Sequence, residues 1–444
     1  MKRFLLILLS LGLVMAFSVS AFAVDVKVSG EYYAAGMYLN KTKVDDSSTN
    51  PSTAFFYQRL RVGTDFIIDP SLKLITRFDV MERIWGGARS SSGTTSAKDS
   101  YETAAENENI AIDWVYLNYV SPIGKFDVGI MNDGSTGTIF GNSYAPAARV
   151  KYSYTYAPFT INAAYTKVKD QSYSAVTTTT TFTDGDNDKY GLEGVYTWKE
   201  GKAGLNVNYY RYAEKSPDPN KYMKTYLLFT PYAIAKIGPV NLQAEFNYAT
   251  GKNKKYDSGT GDEKLESISG WIDATATFAP VYVGATIAYV SGDDPKTSDT
   301  NEGTLDGGRD WNPCLIMFNY YDVANWVGAI NGYNSSVVTG PMTNAWFGQG
   351  RIGVKPIPEL DVMLSVSYAT ADKKPDPSKL GYAYANGTYG TEIDLTGNYK
   401  ITNNLSYMLG VGYLFTGDYF KGYDSPGAKV NDDFIVINKL TITF

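Results

Sequence analysis

Charged side chains recur at alternate positions in the early part of the chain, where their spacing could bind ions. Arg59 and Arg61 alternate with apolar residues in one segment, and Arg77 and Asp79 alternate with apolar residues in the next. Alternation with a period of two is typical of a β-strand that has one apolar and one polar face. If the two segments pair around Asp69, Arg59 lies opposite Asp79 and Arg61 lies opposite Arg77. Two facing arginines repel each other, so this pairing predicts an anion between them.

A third segment extends the basic pattern. Arg149 and Lys151 alternate with Val150 and Tyr152, so both cations are expected on one face of a strand. Asp133, another carboxylate or a bound solute could supply the anion that the facing arginines require. We interpret the alternating cations as a basic ladder that attracts anions; the alternative is that the charges only pair with one another. The ladder consists of Arg59, Arg61, Arg77, Arg149 and Lys151.

Composition argues against several other kinds of chemistry. The 444 residues include no histidine, which removes the usual general base of Ser-His hydrolysis. The single cysteine, Cys314, excludes an intramolecular disulfide. Asp184, Asp186 and Asp188 have the spacing of a calcium loop, but the glycine and distal glutamate of an EF-hand are missing. With a net charge of -6 as well, we expect no catalytic residues, no metal site, no cofactor and no nucleic-acid partner.

The elements that must position these charges are β-strands along the whole chain. Segments of strand length alternate between apolar and polar residues, and short turns alternate with long polar connections between them. This organisation predicts an all-β fold of about 18 antiparallel strands, with 16 as the alternative if a weak segment such as 111–119, whose apolar face is inconsistent, is not a strand. A soluble sandwich or propeller also alternates, but the chain lacks the internal repeat of a propeller.

The amino-terminal residues predict export. Lys2 and Arg3 precede an apolar run that ends at Phe17, and small residues follow at Ala21 and Ala23. A charged start, a short apolar run and a small-residue cleavage site are typical of a secretory signal peptide. The run is short of the roughly 20 residues that a membrane-spanning helix requires. We therefore expect residues 1–23 to be removed and residues 24–444 to form a single domain.

The last residues alternate as well, and they carry a resemblance. One face of the final segment is apolar and is interrupted only by Asn438. The residues of this face are Phe434, Val436, Leu440, Ile442 and Phe444. A final strand that ends on phenylalanine resembles the insertion signal of the Gram-negative outer-membrane porin superfamily, and the strand pattern extends this resemblance over essentially all of residues 24–444. The resemblance implies a closed transmembrane β-barrel with short periplasmic turns and long external loops.

Two connections stand out within this pattern. In porins the loop after the fifth strand folds into the lumen; the corresponding residues here are 132–146, where Phe140 and Tyr144 are expected to hold the loop against the wall. An ordinary surface hairpin is the alternative, and the usual acidic and glycine-paired motif of that loop is not reproduced. The connection 292–343 contains apolar runs within polar sequence, so we expect it to plug the lumen, cap the mouth or pack against a neighbouring subunit.

The resemblance implies an outer-membrane channel for passive diffusion of small hydrophilic solutes and ions. The basic ladder adds a hypothesis of anion preference. The expected partners are outer-membrane lipid, lipopolysaccharide and the barrel-assembly machinery, and the resemblance implies a homotrimer. Two alternatives remain open: a substrate-selective channel for sugars or carboxylates, and a structural or adhesive surface barrel.

Overall fold

The computed structural model describes most of the chain outside its amino terminus. The described residues are 24–46, 51–86, 110–170, 186–213, 222–256, 261–333, 336–374, 387–421 and 428–444. The predicted signal peptide, residues 1–23, and Asp184 of the acidic triplet lie outside the described residues. Among the residues described, no helix is both long enough and apolar enough to cross a bilayer.

In this part of the chain, 18 antiparallel strands form one closed barrel. They are β1 (Asp25–Leu39), β2 (Thr53–Asp69), β3 (Leu72–Ile84), β4 (Ile110–Ser121), β5 (Gly124–Asn132), β6 (Pro146–Tyr156), β7 (Phe159–Lys169), β8 (Asn187–Trp198), β9 (Gly201–Tyr212), β10 (Tyr222–Ile237), β11 (Val240–Tyr256), β12 (Glu263–Phe278), β13 (Val281–Val290), β15 (Ala345–Ile357), β16 (Leu360–Ala371), β17 (Thr388–Lys400), β18 (Leu405–Thr416) and β19 (Asp433–Thr443). A two-residue strand, β14 (Thr300–Asn301), pairs in parallel with β12 outside this ring. The last strand pairs with the first and closes the barrel. The predicted antiparallel barrel of 18 strands is confirmed.

Alternation along each strand separates an apolar outer face from the lumen. In β16, Leu364 and Val366 are exposed on the outside, whereas Ser365 and Ser367 between them are buried on the inside. Since consecutive side chains of a strand point to opposite faces, this pattern surrounds the barrel with apolar side chains. Short helical turns lie at Tyr320–Ala324, Asn325–Val327 and Asp418–Lys421.

The connection between β14 and β15 packs against the inner wall, and we call it the plug. Ile316, Met317 and Met342 of the plug are fully buried, as are Ile435 and Ile437 on the inner face of β19. These side chains belong to one apolar cluster. Burying them removes apolar surface from water, which accounts for the apolar runs that the sequence shows within a polar connection.

Polar contacts also attach the plug to the wall. The carboxylate of Glu392 on β17 accepts hydrogen bonds from the backbone N–H groups of Ile316 and Met317, at 2.6 and 2.7 Å. Lys439 on β19 forms an ion pair with Asp322 of the plug, with 2.6 Å between Nζ and Oδ1. Cys314 lies here as a buried free thiol whose pKa is raised by burial. The plug is therefore an integral part of the barrel interior.

The terminal strand presents its predicted apolar face to the outside. Leu440, Ile442 and Phe444 are exposed there, and Phe434 and Val436 are half-buried on the same face. Their role as an insertion signal stays a prediction.

Candidate functional site

The pairing of β2 with β3 brings Arg61 opposite Asp79. Arg77 lies opposite Gly63, so the predicted pairs of Arg61 with Arg77 and of Arg59 with Asp79 are wrong. The predicted faces are nevertheless correct. The sum of two paired residue numbers differs by two from the predicted sum. An even difference of this kind leaves the side chains on the same face of each strand.

The turn between β2 and β3 explains the different register. Pro70 and Ser71 form the turn, because Asp69 pairs with Leu72 across it. The carboxylate of Asp69 accepts hydrogen bonds from the N–H and the hydroxyl of Ser71, both at 2.7 Å. An irregularity between Ile67 and Asp69 then moves the pairing back by one position, which leaves the sum of the paired numbers two above the predicted one. A prediction centred on Asp69 could include neither effect.

Two carboxylates lie beside the arginines. Asp79 accepts two hydrogen bonds from the guanidinium of Arg61, each of 2.7 Å. Asp113 on β4 lies 3.0 Å from Arg77 and 3.5 Å from Arg61, so it bridges the two cations. Trp114 places its ring 3.7 Å from the guanidinium carbon of Arg77, a cation–π contact. Wall carboxylates therefore supply the anion that the sequence required near the arginine pair.

A β-bulge in β4 brings both Asp113 and Trp114 to the lumen. Arg77 pairs with Trp114 and the next residue, Phe78, pairs with Ile112, so Asp113 is the extra residue. Sequence reasoning missed Asp113 and Trp114, although the inconsistent apolar face of residues 111–119 was the signal of this bulge.

The remaining predicted wall residue of this group is Arg59. Its guanidinium lies 3.4 Å from Glu31 on β1 and 3.8 Å from Glu82 on β3. It also lies over the ring of Tyr33, with 5.1 Å to the centroid. Arg59 is thus compensated by two glutamates, in place of the predicted Asp79.

The loop 133–145, which follows the fifth strand, lies against inner side chains on two sides of the barrel. Phe140 is fully buried, with its ring 6.0 Å from that of Trp271 on β12 and 5.2 Å from that of Trp311 in the plug. Thr138 donates its N–H and its hydroxyl to Glu245 on β11, at 3.0 and 2.7 Å. The loop therefore crosses the lumen, and its role as the constriction stays a prediction.

Tyr144 connects this loop to the arginine wall. Its ring centroid is 4.5 Å from the guanidinium carbon of Arg77 and 5.6 Å from that of Arg61. Burial raises the pKa of Tyr144 to about 12, so its hydroxyl is neutral at physiological pH.

Asp133 contacts a different set of cations. Its carboxylate lies 3.3 Å from Arg149 and 3.2 Å from Lys189 on β8, and it accepts a hydrogen bond of 3.0 Å from Thr166. Asp133 is therefore not the anion between Arg61 and Arg77. Sequence reasoning missed Lys189, because it follows the acid Asp188 and therefore does not alternate with apolar residues on both sides.

Two cavities meet at Ser135 of the loop. The larger, about 710 Å³ in volume, we call the arginine chamber. Its charged lining consists of the cations Arg59, Arg61, Arg309 and Lys439 and the acids Glu31, Asp79, Glu82, Asp113, Asp310 and Asp322. The smaller, about 290 Å³ in volume, we call the lysine chamber. Its charged lining consists of Arg149, Lys151, Lys202 and Glu193. Four residues of the predicted ladder are thus divided between the two chambers, and Arg77 lines neither.

No family model matches this sequence, and no curated protein matches it. Solved structures do match in fold. The chain aligns with OccK2 (OpdF) of Pseudomonas aeruginosa at 11% identity and a TM-score of 0.51, over 94% of this chain and 98% of that chain. It aligns with Pseudomonas aeruginosa OpdK, determined with vanillate, at 12% identity and a TM-score of 0.50, over the same 94% and 98%. The chain has the porin fold. A third porin-like match, OccK11 (OpdR) of the same organism, has 11% identity and a TM-score of 0.50, over 95% of this chain and 96% of that chain.

Proposed function

We propose that this chain is an outer-membrane porin, a water-filled channel through which small hydrophilic solutes and ions diffuse passively. The observation that carries the proposal is the arginine chamber, a cavity of about 710 Å³ inside the closed barrel whose charged lining includes four cations and six acids. Charged walls replace part of the hydration shell of a passing ion or polar solute and lower its barrier. The apolar outer face of the strands is suited to lipid.

In this proposal, the ion preference of each chamber depends on how far its acidic side chains neutralise its cations. Acids outnumber cations in the lining of the arginine chamber, whereas cations outnumber the single acid in the lining of the lysine chamber. We therefore assign the hypothesised anion preference to the lysine chamber. At the wall of the arginine chamber, Arg61 pairs with Asp79, and Arg77, next to the lining, pairs with Asp113.

Location and assembly belong to the same proposal. Export through the predicted signal peptide, insertion by the barrel-assembly machinery and contact with lipid and lipopolysaccharide follow from placing the chain in the outer membrane. The exposed apolar residues of β19, including Leu440 and Ile442, support a lipid-facing final strand. A homotrimer is the proposed assembly, and cross-linking of the purified protein in detergent tests it.

Single-channel recording tests the proposed function. Protein lacking residues 1–23 is refolded and inserted into a planar bilayer under a KCl gradient, and conductance and reversal potential are measured. Discrete, stable current steps are the expected result. A folded barrel that carries no current in repeated insertions contradicts the proposal and favours the structural or adhesive alternative.

A substrate-selective channel is the second candidate, because the plug and the loop 133–145 occupy much of the lumen. The arginine chamber and the lysine chamber, beside them in the described part of the chain, are about 710 and 290 Å³ in volume. Liposome swelling with a series of sugars, amino acids and carboxylates of similar size distinguishes the two candidates. Rates that follow size alone support a general porin, whereas rates that differ between solutes of one size support a selective channel.

A further inference from the structure

The lysine chamber has space inside because small residues lie between larger polar side chains on neighbouring strands. Across the sheet, Lys151 on β6 pairs with Ala164 on β7, Ala164 pairs with Gly191 on β8, and Gly191 pairs with Asn208 on β9. A Cβ atom at Gly191 would lie 2.7 Å from Oδ1 of Asn208. Large side chains in the middle of this row would fill the space, so the row itself creates the chamber.

Two cations of the chamber lack a close ion pair, although Asp127 on β5 lies opposite one of them, Lys151, across the sheet. Within the described residues, neither Lys151 nor Lys202 forms an ion pair, and the ammonium of Lys202 lies over the ring of Tyr232, 5.7 Å from its centroid. Arg149 has Asp133 beside it at 3.3 Å. A cation that is withdrawn from bulk water without a partner favours the approach of an anion.

The one acid of the lining is already engaged. Glu193 accepts a hydrogen bond of 2.8 Å from the amide of Asn162 and another of 2.8 Å from the hydroxyl of Tyr232. These two hydrogen bonds hold the carboxylate of Glu193 in place, and within the described residues it forms no ion pair with a lysine of the lining. The lining therefore keeps a surplus of positive charge.

Side-chain amides add neutral donors beside the lysines. Asn206 and Asn208 both project from the inner face of β9 and are buried to more than nine-tenths. No hydrogen bond to either amide side chain is present in the part of the chain that the structure describes. An amide NH₂ group donates two hydrogen bonds, and ammonium and amide donors together suit an acceptor that has several oxygens.

We infer that the lysine chamber is a binding site for a small oxyanion, held by Lys151 and Lys202 and oriented by the amides of β9. This site rests on the proposed channel function, since the anion reaches it through the lumen. Its volume of about 290 Å³ is several times the roughly 30 Å³ share of one water molecule, so a partly hydrated oxyanion fits. Inorganic oxyanions and organic carboxylates share this chemistry.

Block of chloride current tests the site in the refolded protein. Inorganic phosphate is added at constant KCl, and the concentration that halves the single-channel current is measured. We expect saturable block, and in the double variant Lys151→Gln, Lys202→Gln we expect this concentration to rise about tenfold, the effect of losing a charged hydrogen bond. Lys199→Gln removes a lysine whose side chain is 93% exposed and is the matched control, with block unchanged.

A variant of opposite effect strengthens the test. Glu193→Gln removes the only acid of the lining, so phosphate should block at a lower concentration than in the wild-type protein. Acetate in place of phosphate distinguishes an organic carboxylate from an inorganic oxyanion as the ligand. Block by acetate at comparable concentrations indicates a carboxylate site, and block by phosphate alone indicates an inorganic oxyanion site.

Separate outcomes overturn the site and the channel. A double variant that conducts and is blocked at the wild-type concentration overturns the site, as does wild-type current that neither phosphate nor acetate blocks. If folded protein carries no current, the channel proposal fails, and phosphate titration of the detergent-solubilised protein by calorimetry decides the site. Binding there that the double variant loses supports the site, and no binding overturns it.

Discussion

The arginine chamber and the lysine chamber contain similar kinds of side chains and differ in how the cations are compensated. Arg61 has Asp79 opposite it on the neighbouring strand, and the bulge of β4 adds Asp113. Lys151 has Ala164 opposite it on β7 and Asp127 opposite it on β5, but Asp127 forms its ion pair with Lys125, at 3.5 Å, and Lys151 forms none within the described residues. The difference teaches that the charge of a barrel wall is set by the residues across neighbouring strands, and that counting basic residues along the chain is insufficient.

The two chambers also differ in stiffness. A guanidinium held by two hydrogen bonds of 2.7 Å has one preferred geometry, and Trp114 and Tyr144 pack on the adjacent arginine. The lysine ammonium groups are on flexible stems; Lys202 lies over the ring of Tyr232 at 5.7 Å, but within the described residues no ion pair fixes either lysine. We therefore expect the arginine chamber to act as a fixed wall and the lysine chamber to adapt to its ligand.

The largest expected effect comes from reversing the arginine pair. The double variant Arg61→Glu, Arg77→Glu leaves Asp79 and Asp113 without cations and adds two acids to the same wall. We expect the reversal potential to move toward cation selectivity, with a change of about tenfold in the permeability ratio of anions to cations. Lys199→Glu on an exposed turn is the control. An unchanged reversal potential in a conducting double variant would mean that ions do not pass the arginine chamber.

Removing the aromatic anchor of the loop tests whether the chambers are separate. Phe140→Ala takes away the fully buried ring between Trp271 and Trp311 and should cost about 3–5 kcal/mol of stability. We expect larger and noisier single-channel currents as the chambers merge, and a lower denaturant midpoint. Ile139→Ala, at an exposed neighbouring side chain, should change neither quantity. Equal currents in Phe140→Ala and wild type would show that another contact holds the loop.

The smallest expected effect comes from the bridging carboxylate. Asp113→Asn removes the partner 3.0 Å from Arg77, while Asp79 still holds Arg61. The wall then gains one uncompensated cation, so the permeability ratio should move toward anions by about threefold, as expected for a partly exposed ion pair. Asp65→Asn, whose carboxylate lies 4.0 Å from Lys73, is the control with a smaller shift. A shift toward cations in Asp113→Asn would contradict the proposed bridging role.

Several features of the fold could be predicted because they depend on local alternation. The faces of β2 and β3 are correct although their register is wrong, since period-two patterning survives a shift of this kind. The apolar runs of the plug indicated burial, but the wall of β19 that covers them, with Ile435 and Ile437 inside, could not be foreseen from a pattern that expects a polar lumen.

The site was less predictable because its partners are distant in sequence. Asp113 reaches Arg77 only through a bulge, Lys189 reaches Asp133 from another strand, and Lys202 joins Lys151 across two intervening strands. Each contact depends on strand register, and register depends on turns and bulges whose energies are small and local.

The sequence by itself predicted about 18 antiparallel strands, because nearly every strand carries its own apolar and polar face, and its resemblance to porins implied that they close into a barrel. Only the tertiary structure decided which charges neutralise one another and which remain available. The reason is physical: alternation is a property of each strand alone, whereas the field at the wall depends on distances between charges on different strands and falls with those distances. Arg61 forms an ion pair of 2.7 Å with Asp79, whereas Lys151 forms none in the described part of the chain, although both basic residues follow the same pattern along the sequence.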